Sequence, residues 1–232
     1  MINGLSVLVV VPARGGSKGI LLKNLRKVNG IPLVASVGNI IKSIPEIDRS
    51  IVSTDHEKIA SVAKDAGIAV PFYRPEYLSG DRVGDVEVLT HALLEIESID
   101  SVIYDIIVML QPTSPLRKTE HVSDTIRMLI DGAWDSVWTV SETDSKSHPL
   151  KQLTIDNGCL NYYDDSGAKI IARQQLMPVY HRNGVAYAIT RDCLLNKKSI
   201  KGDKTGALVI KGDNISIDTE RDLDLIDFIL SR

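Results

Sequence analysis

The chain has 232 residues, 44% hydrophobic and 25% charged, enough for one substantial core or a core with a small appended lobe. A formal net charge of -3 gives no basis for nucleic acid or an anionic membrane as partner. The two cysteines, Cys159 and Cys193, form no CxxC pair and have no histidine at metal-ligand spacing, so free thiols in a reducing cytoplasm are expected.

Leu5 to Ala13 is the longest conspicuously apolar run. It is too short to span a bilayer and has no basic segment in front of it, so neither a membrane span nor a secretory signal is expected. Its β-branched part, Ser6 to Ala13, reads as a strand buried on both faces. A helix follows from Pro32 to Ser43, with proline in its first turn, and then a strand from Arg49 to Asp55. Asp55 is the expected cap of a helix from His56 to Ala66, which Gly67 stops. A short strand near Ala69 to Tyr73, a loop rich in Pro, Gly and Asp, and a helix from about Asp85 to Glu97 come next. Ile106 to Leu110 reads as another buried strand. The helix after it carries Val122, Ile126 and Leu129 on one face behind Thr119, and Ser136 to Val140 is a further strand.

This alternation predicts an α/β fold of Rossmann-like type, with a mostly parallel sheet, helices on both faces and ligands at the carboxyl ends of the strands. The polar loops after Ala13, Leu110 and Ile217 are then candidates for one shared site. From Ser141 to Arg182 the alternation gives way to turn-rich sequence with weak strands at Lys151 to Ile155 and Cys159 to Tyr162, an excursion that suits a lid, a dimerisation arm or a plain surface loop. The chain re-enters the sheet at Val185 to Ile189. Apolar segments at Ala207 to Ile210 and Ile215 to Asp218 precede a closing helix capped near Thr219. The domains expected are an α/β one from 1-140 and 183-232 and an inserted subdomain at 141-182.

Up to Pro45 the chain carries Arg14, Lys18, Lys23, Arg26, Lys27 and Lys42 and no acidic residue, whereas its end carries Asp213, Asp218, Glu220, Asp222, Asp224 and Asp227. That polarity fits an anion site and a cation site, and equally a solvated charge asymmetry. The strongest constellation is Pro12-Ala13-Arg14-Gly15-Gly16-Ser17-Lys18-Gly19, directly after the first strand. Its glycines free backbone amides, and Arg14, Ser17 and Lys18 add two cations and a hydroxyl, a set suited to a triphosphate. The spacing fits neither GxGxxG nor GxxxxGK[ST]. Asp218, between an apolar stretch and the last helix, could hold Mg2+ (or Mn2+) on nucleotide phosphates or simply cap the helix. None of the histidines has an identifiable Ser or Cys partner, and Trp134 and Trp138 are expected to pack on or near the sheet.

The run Ala13 to Gly19, followed by Lys23-Asn24-Leu25, resembles the nucleotide-binding signature of the acylneuraminate cytidylyltransferases, the CMP-sialic acid synthetases. Further matches stand in register: Ser53-Thr54-Asp55, Arg74-Pro75 with Asp81 beyond, Leu110 to Arg117, His148-Pro149-Leu150-Lys151, Arg173-Gln174-Gln175, Arg182-Asn183-Gly184 and Ile217-Asp218-Thr219-Glu220. The resemblance covers nearly the whole chain. It implies that Arg14, Ser17 and Lys18 hold the CTP phosphates, with Arg14 and Lys18 also catalytic. Lys23 and Asn24 then lie beside the nucleotide, and Arg74 and the loop around Asp81 help define the cytidine pocket. Gln111, Thr113 and Ser114 face a nine-carbon sugar acid, and Lys151 and Arg173 grip its carboxylate. The excursion becomes a dimerisation arm that places such residues across the boundary of a homodimer.

Two departures stand out. Many relatives have a second aspartate where this chain has Ser216, which leaves Asp218 as metal ligand with Asp213 as a possible helper, and Ile20-Leu21-Leu22 stands where relatives usually have a proline. The reaction implied is in-line attack by the anomeric hydroxyl of the sugar acid on the α-phosphorus of CTP, with release of pyrophosphate. Alternatives are a legionaminate or pseudaminate cytidylyltransferase, the enzyme that activates the eight-carbon acid Kdo, or a noncatalytic nucleotide-binding module.

Overall fold

The computed structural model describes residues 1–212 and 214–231. A six-stranded sheet runs β10-β6-β9-β5-β1-β4, where β1 is Val7–Pro12, β4 is Arg49–Ser53, β5 is Ile106–Met109, β6 is Ser136–Glu142, β9 is Tyr180–Thr190 and β10 is Thr205–Val209. β1 pairs in parallel with β4 and β5, and β10 with β6, whereas β9 is antiparallel to both neighbours, β5 and β6. The expected mostly parallel α/β fold is thus present, with the returning strand inverted. A short hairpin, β2 (Lys27–Val28) with β3 (Ile31–Pro32), and a second hairpin, β7 (Leu153–Asp156) with β8 (Cys159–Tyr162), stand apart from it.

The helices are α1 (Leu33–Ile41), α2 (Glu57–Asp65), α3 (Asp85–Asp100), α4 (Thr119–Asp131), α5 (Arg191–Leu195) and α6 (Glu220–Leu230). Alternation along β1 divides the core in two. Val7, Val9 and Val11 join the cluster that includes Val34 and Val37 of α1, Ile59 of α2 and Ile126 of α4. Leu8 and Val10 join the opposite cluster, with Leu89 and Leu93 of α3 and Cys193 and Leu194 of α5. All five side chains are fully buried, which is why β1 reads as continuously apolar. At roughly 1.5–3 kcal/mol for each such residue, their burial is a main anchor of the sheet. No helix among the described residues is long and apolar enough to cross a membrane.

Two expectations are corrected. Ala69 to Tyr73 forms only one bridge, Ala69 to Ile51, because Pro71 lacks the N–H that would extend a ladder. The apolar segment Ile215 to Asp218 forms neither strand nor helix; Ile217 N–H donates to Thr113 O at 2.9 Å, and the side chain packs into a small cluster with Ile20 and Leu223. Asp55 does not cap α2, whose cap position is His56 with no side-chain bond; its carboxylate is spent on Gly15. Thr219 does cap α6, accepting from Asp222 N–H and closing a capping box.

Candidate active site

The loops after β1 and β5, with the segment around Ile217 tied to the latter through Thr113 O, surround one cavity of about 700 Å3, a size typical of ligand sites. After β1, Ala13 N–H still bonds Ser53 O at 3.0 Å, and the chain then turns sharply, with Ser17 N–H on Gly15 O at 3.0 Å. Gly15 N–H donates to Asp55 Oδ1 at 2.8 Å, and the buried Asn24 amide donates to Arg14 O at 2.9 Å, so the turn is gripped from both sides. Leu22 takes the left-handed conformation at φ 48°, reversing the chain so that Lys23 points back into the cavity, where its ammonium bonds Ile217 O and Asp218 Oδ1, both at 2.9 Å.

Two cations on the wall share one carboxylate. Asp81 Oδ1 is 2.9 Å from Arg14 Nη1, and Oδ2 pairs with the exposed Lys18 ammonium. Lys18, and after it Arg14, hold the Asp81 carboxyl below the usual carboxylate range. Arg74 is only 6% exposed; its Nε and Nη2 donate to Ser53 Oγ at 3.0 Å and Ser53 O at 2.6 Å. Burial pushes the Arg74 guanidinium down to about 10, with nearby Asp55 acting against the shift. Asp85, the first residue of α3, is a further wall carboxylate; burial pushes it up, and Arg182 and Arg74 oppose that.

At the β5 end, Arg117 organises the wall from behind. It is 5% exposed and donates to Val185 O and Gln111 O, both at 2.5 Å, and to Gly184 O at 3.1 Å. Burial pushes its guanidinium down to about 9. Gly184, at φ 71°, lies so close to the loop that a Cβ there would be 2.5 Å from Gln111 Oε1 and 2.7 Å from Ser114 Oγ. The register of β6 and β9 shifts between Trp138 and Val140, and Thr139 Oγ1 bonds Asn183 Oδ1 at 2.7 Å, which brings Asn183 and Gly184 against this loop.

Of the residues singled out from sequence, Arg14, Ser17, Lys18, Lys23, Asn24, Arg74, Asp81, Gln111, Thr113 and Asp218 all line the one cavity. Ser114 does not: it is 3% exposed and its hydroxyl donates to Asn183 O at 2.9 Å, because the close approach of β9 takes it out of the cavity. Lys151 and Arg173 sit in turns of the excursion, and Arg173 lines a separate depression of about 570 Å3 with His148 and Glu142. Asp85 and Arg117 received no role from sequence, and Asp55 only that of a helix cap. Asp55 and Arg117 lay inside recognisable motifs, but only the fold shows which amide and which carbonyls meet them.

Asp218 is an exposed carboxylate beside the Lys23 ammonium on the cavity wall, with Ser216 on the same wall. Asp213 lies outside the described residues. No group of three His, Cys, Asp or Glu among the described residues could hold a metal. Mg2+ needs no such group, since it is usually held by one or two carboxylates together with substrate phosphates and water, a set to which Asp218 could contribute one carboxylate.

A model of the cytidylyltransferase family matches residues 8–227. The CMP-N,N'-diacetyllegionaminic acid synthase of Legionella pneumophila is 29% identical over 221 residues, covering 94% of this chain and 92% of its own. The N-acylneuraminate cytidylyltransferase of Streptococcus agalactiae is 30% identical over 220 residues, 93% of this chain but 51% of that protein. Among solved structures, CMP:2-keto-3-deoxy-manno-octonic acid synthetase complexed with CTP superposes with a TM-score of 0.68 at 17% identity, covering 97% of this chain and 98% of that one, a likeness of fold.

Proposed function

We propose that this chain, which belongs to the cytidylyltransferase family, transfers CMP from CTP to the anomeric hydroxyl of a nine-carbon, sialic-like sugar acid. The observation that carries the reading is the single cavity on which Arg14, Lys18 and Lys23 face Gln111 and Thr113. The cations suit a triphosphate, and the amide and hydroxyl suit a polyhydroxylated acceptor. N-acetylneuraminic acid is the first candidate acceptor. A second is N,N'-diacetyllegionaminic acid, supported by the match over 92% of the length of a legionaminic acid synthase.

In the proposed step the anomeric oxygen forms a bond to the α-phosphorus as the bond to the β-phosphate bridging oxygen breaks; the hydroxyl proton is lost and pyrophosphate leaves. Both substrates are anions, so charge control dominates. Arg14 and Lys18 exchange Asp81 for phosphate oxygens and offset charge gathering on the leaving group. Lys23 lies beside the nucleotide, Asn24 fixes the Arg14 backbone, and Arg74 and the loop around Asp81 bound the cytidine pocket. Asp218 would hold Mg2+, which when bound supplies further neutralisation of the phosphates.

Residues 141-182 serve in this reading as a dimerisation arm. Ile155, Leu160, Tyr163, Ile171 and Met177 expose large apolar surfaces there, and Lys151 and Arg173 lie off the cavity of their own chain. In a homodimer these two cations would reach the partner subunit's bound sugar carboxylate. The test is the product: protein incubated with CTP, Mg2+ and each acid, with mass spectrometry of the mixture. A CMP-sugar of the expected mass supports the reading, and CTP left intact by protein that binds it overturns it.

A further inference from the structure

We infer that Asp55 is a positioning residue for the phosphate turn: its carboxylate fixes the first of two successive glycines and so keeps Arg14 and Lys18 on the cavity wall. The inference rests on the reading of this turn as the CTP phosphate site. Gly15 and Gly16 have wide backbone freedom, and a turn built on them has no preferred course of its own. Around Gly16 nothing lies within 4 Å of where a Cβ would stand. Gly15, by contrast, is held on two sides. Its N–H is bonded to Asp55 Oδ1 at 2.8 Å, and the His56 ring lies so close that a Cβ on Gly15 would be 2.8 Å from His56 Cδ2.

The segment that supplies Asp55 is itself fixed. Ser53 O takes Ala13 N–H at 3.0 Å, Thr54 O takes Arg74 N–H at 2.7 Å, and the buried Thr54 hydroxyl oxygen accepts from His56 N–H at 3.2 Å. The turn after β4 therefore acts as a template for the turn after β1. A carboxylate has the same sign as a triphosphate, so Asp55 as a direct phosphate ligand would be repulsive; a contribution through loop geometry avoids that conflict. Asp55 also favours the charged form of Arg74, a second group of the same cavity.

Three substitutions separate geometry from charge. Asp55→Asn keeps an oxygen acceptor for Gly15 N–H without the charge, Asp55→Glu keeps the charge but displaces the acceptor by one methylene, and Asp55→Ala removes both. The Kd for CTP from calorimetric titration without sugar acid, with kinetics where turnover is present, is the readout. Asp55→Asn is expected within about threefold of the parent, with Asp55→Glu and Asp55→Ala weaker by about tenfold or more, an effect in KM for CTP and not for the sugar acid. Should Asp55→Ala fail to fold, the contrast between Asn and Glu decides. Asn as impaired as Ala with Glu near normal would assign a charge role and overturn the inference, as would unchanged CTP affinity in all three. A parent protein that binds CTP but turns over no acid overturns the proposed reaction and leaves this inference standing.

Discussion

The Arg14 guanidinium and the Asp81 carboxylate meet at 2.9 Å on the cavity wall, and the second oxygen of the same carboxylate takes Lys18. Asp81 thus occupies the two cations proposed to hold the triphosphate, and on that reading CTP displaces it. Asp81→Asn is expected to lower the KM for CTP about threefold at low ionic strength, with the gain shrinking at high salt, as for any exposed pair. A raised KM would instead make the Asp81 carboxylate a direct contact of the nucleotide.

The same pair predicts a pH response. The folded Asp81 carboxyl titrates below its ordinary 3.8, so its contribution to stability is present above that value and is lost as pH falls through the folded value. On the proposed reading, bound CTP turns Lys18 and Arg14 toward phosphate and leaves Asp81 beside a polyanion. NMR titration of the side-chain carboxyl carbon is expected to show its pKa rising when CTP is added; a further fall would mean that the pairs survive binding.

Gly184→Ala is expected to separate stability from catalysis. At φ 71° an alanine is strained by about 1 kcal/mol, and its Cβ falls within 2.5 Å of Gln111 Oε1. Denaturant unfolding measures the first effect. The second is expected as at least a tenfold loss of turnover with CTP affinity kept, because Gln111 is assigned to the sugar side.

Arg117 is buried with three carbonyl acceptors and lies outside the cavity wall. Arg117→Ala leaves those carbonyls without their donor and opens a void, and a loss of about 3 kcal/mol in unfolding free energy is expected. Arg117→Lys recovers only part of it, since one ammonium cannot reproduce the guanidinium fork. A loss below about 0.5 kcal/mol for Arg117→Ala would rule out the bracing role.

Much of this site is legible in sequence because its parts are local. A continuous apolar strand ending in Arg14-Gly15-Gly16 announces both β1 and the turn after it, and the Gln-Pro-Thr loop after β5 is equally compact. What is not legible depends on distant chain segments. Ser114 reads as a polar loop residue free to meet a sugar, yet β9, nearly seventy positions on, captures its hydroxyl at Asn183. Asp55 reads as a helix cap from its position before His56, but the fold brings Gly15 N–H within reach and the stronger local need takes the carboxylate. β9 is buried continuously from Asn183 to Ile189, as β5 is throughout, and nothing in its residues gives its antiparallel direction.

The central claim is CTP-dependent transfer to a nine-carbon acid, and the most direct test is pyrophosphate release. Parallel reactions contain CTP, Mg2+ and N-acetylneuraminic, legionaminic, pseudaminic or Kdo acid, with ATP, GTP and UTP as controls and Lys18→Ala as the matched variant. The expected result is strong release with CTP and one nine-carbon acid, greatly reduced by Lys18→Ala in a folded protein. No release with any acid, from folded protein that binds CTP, would contradict the claim and leave a nucleotide-binding module without this chemistry.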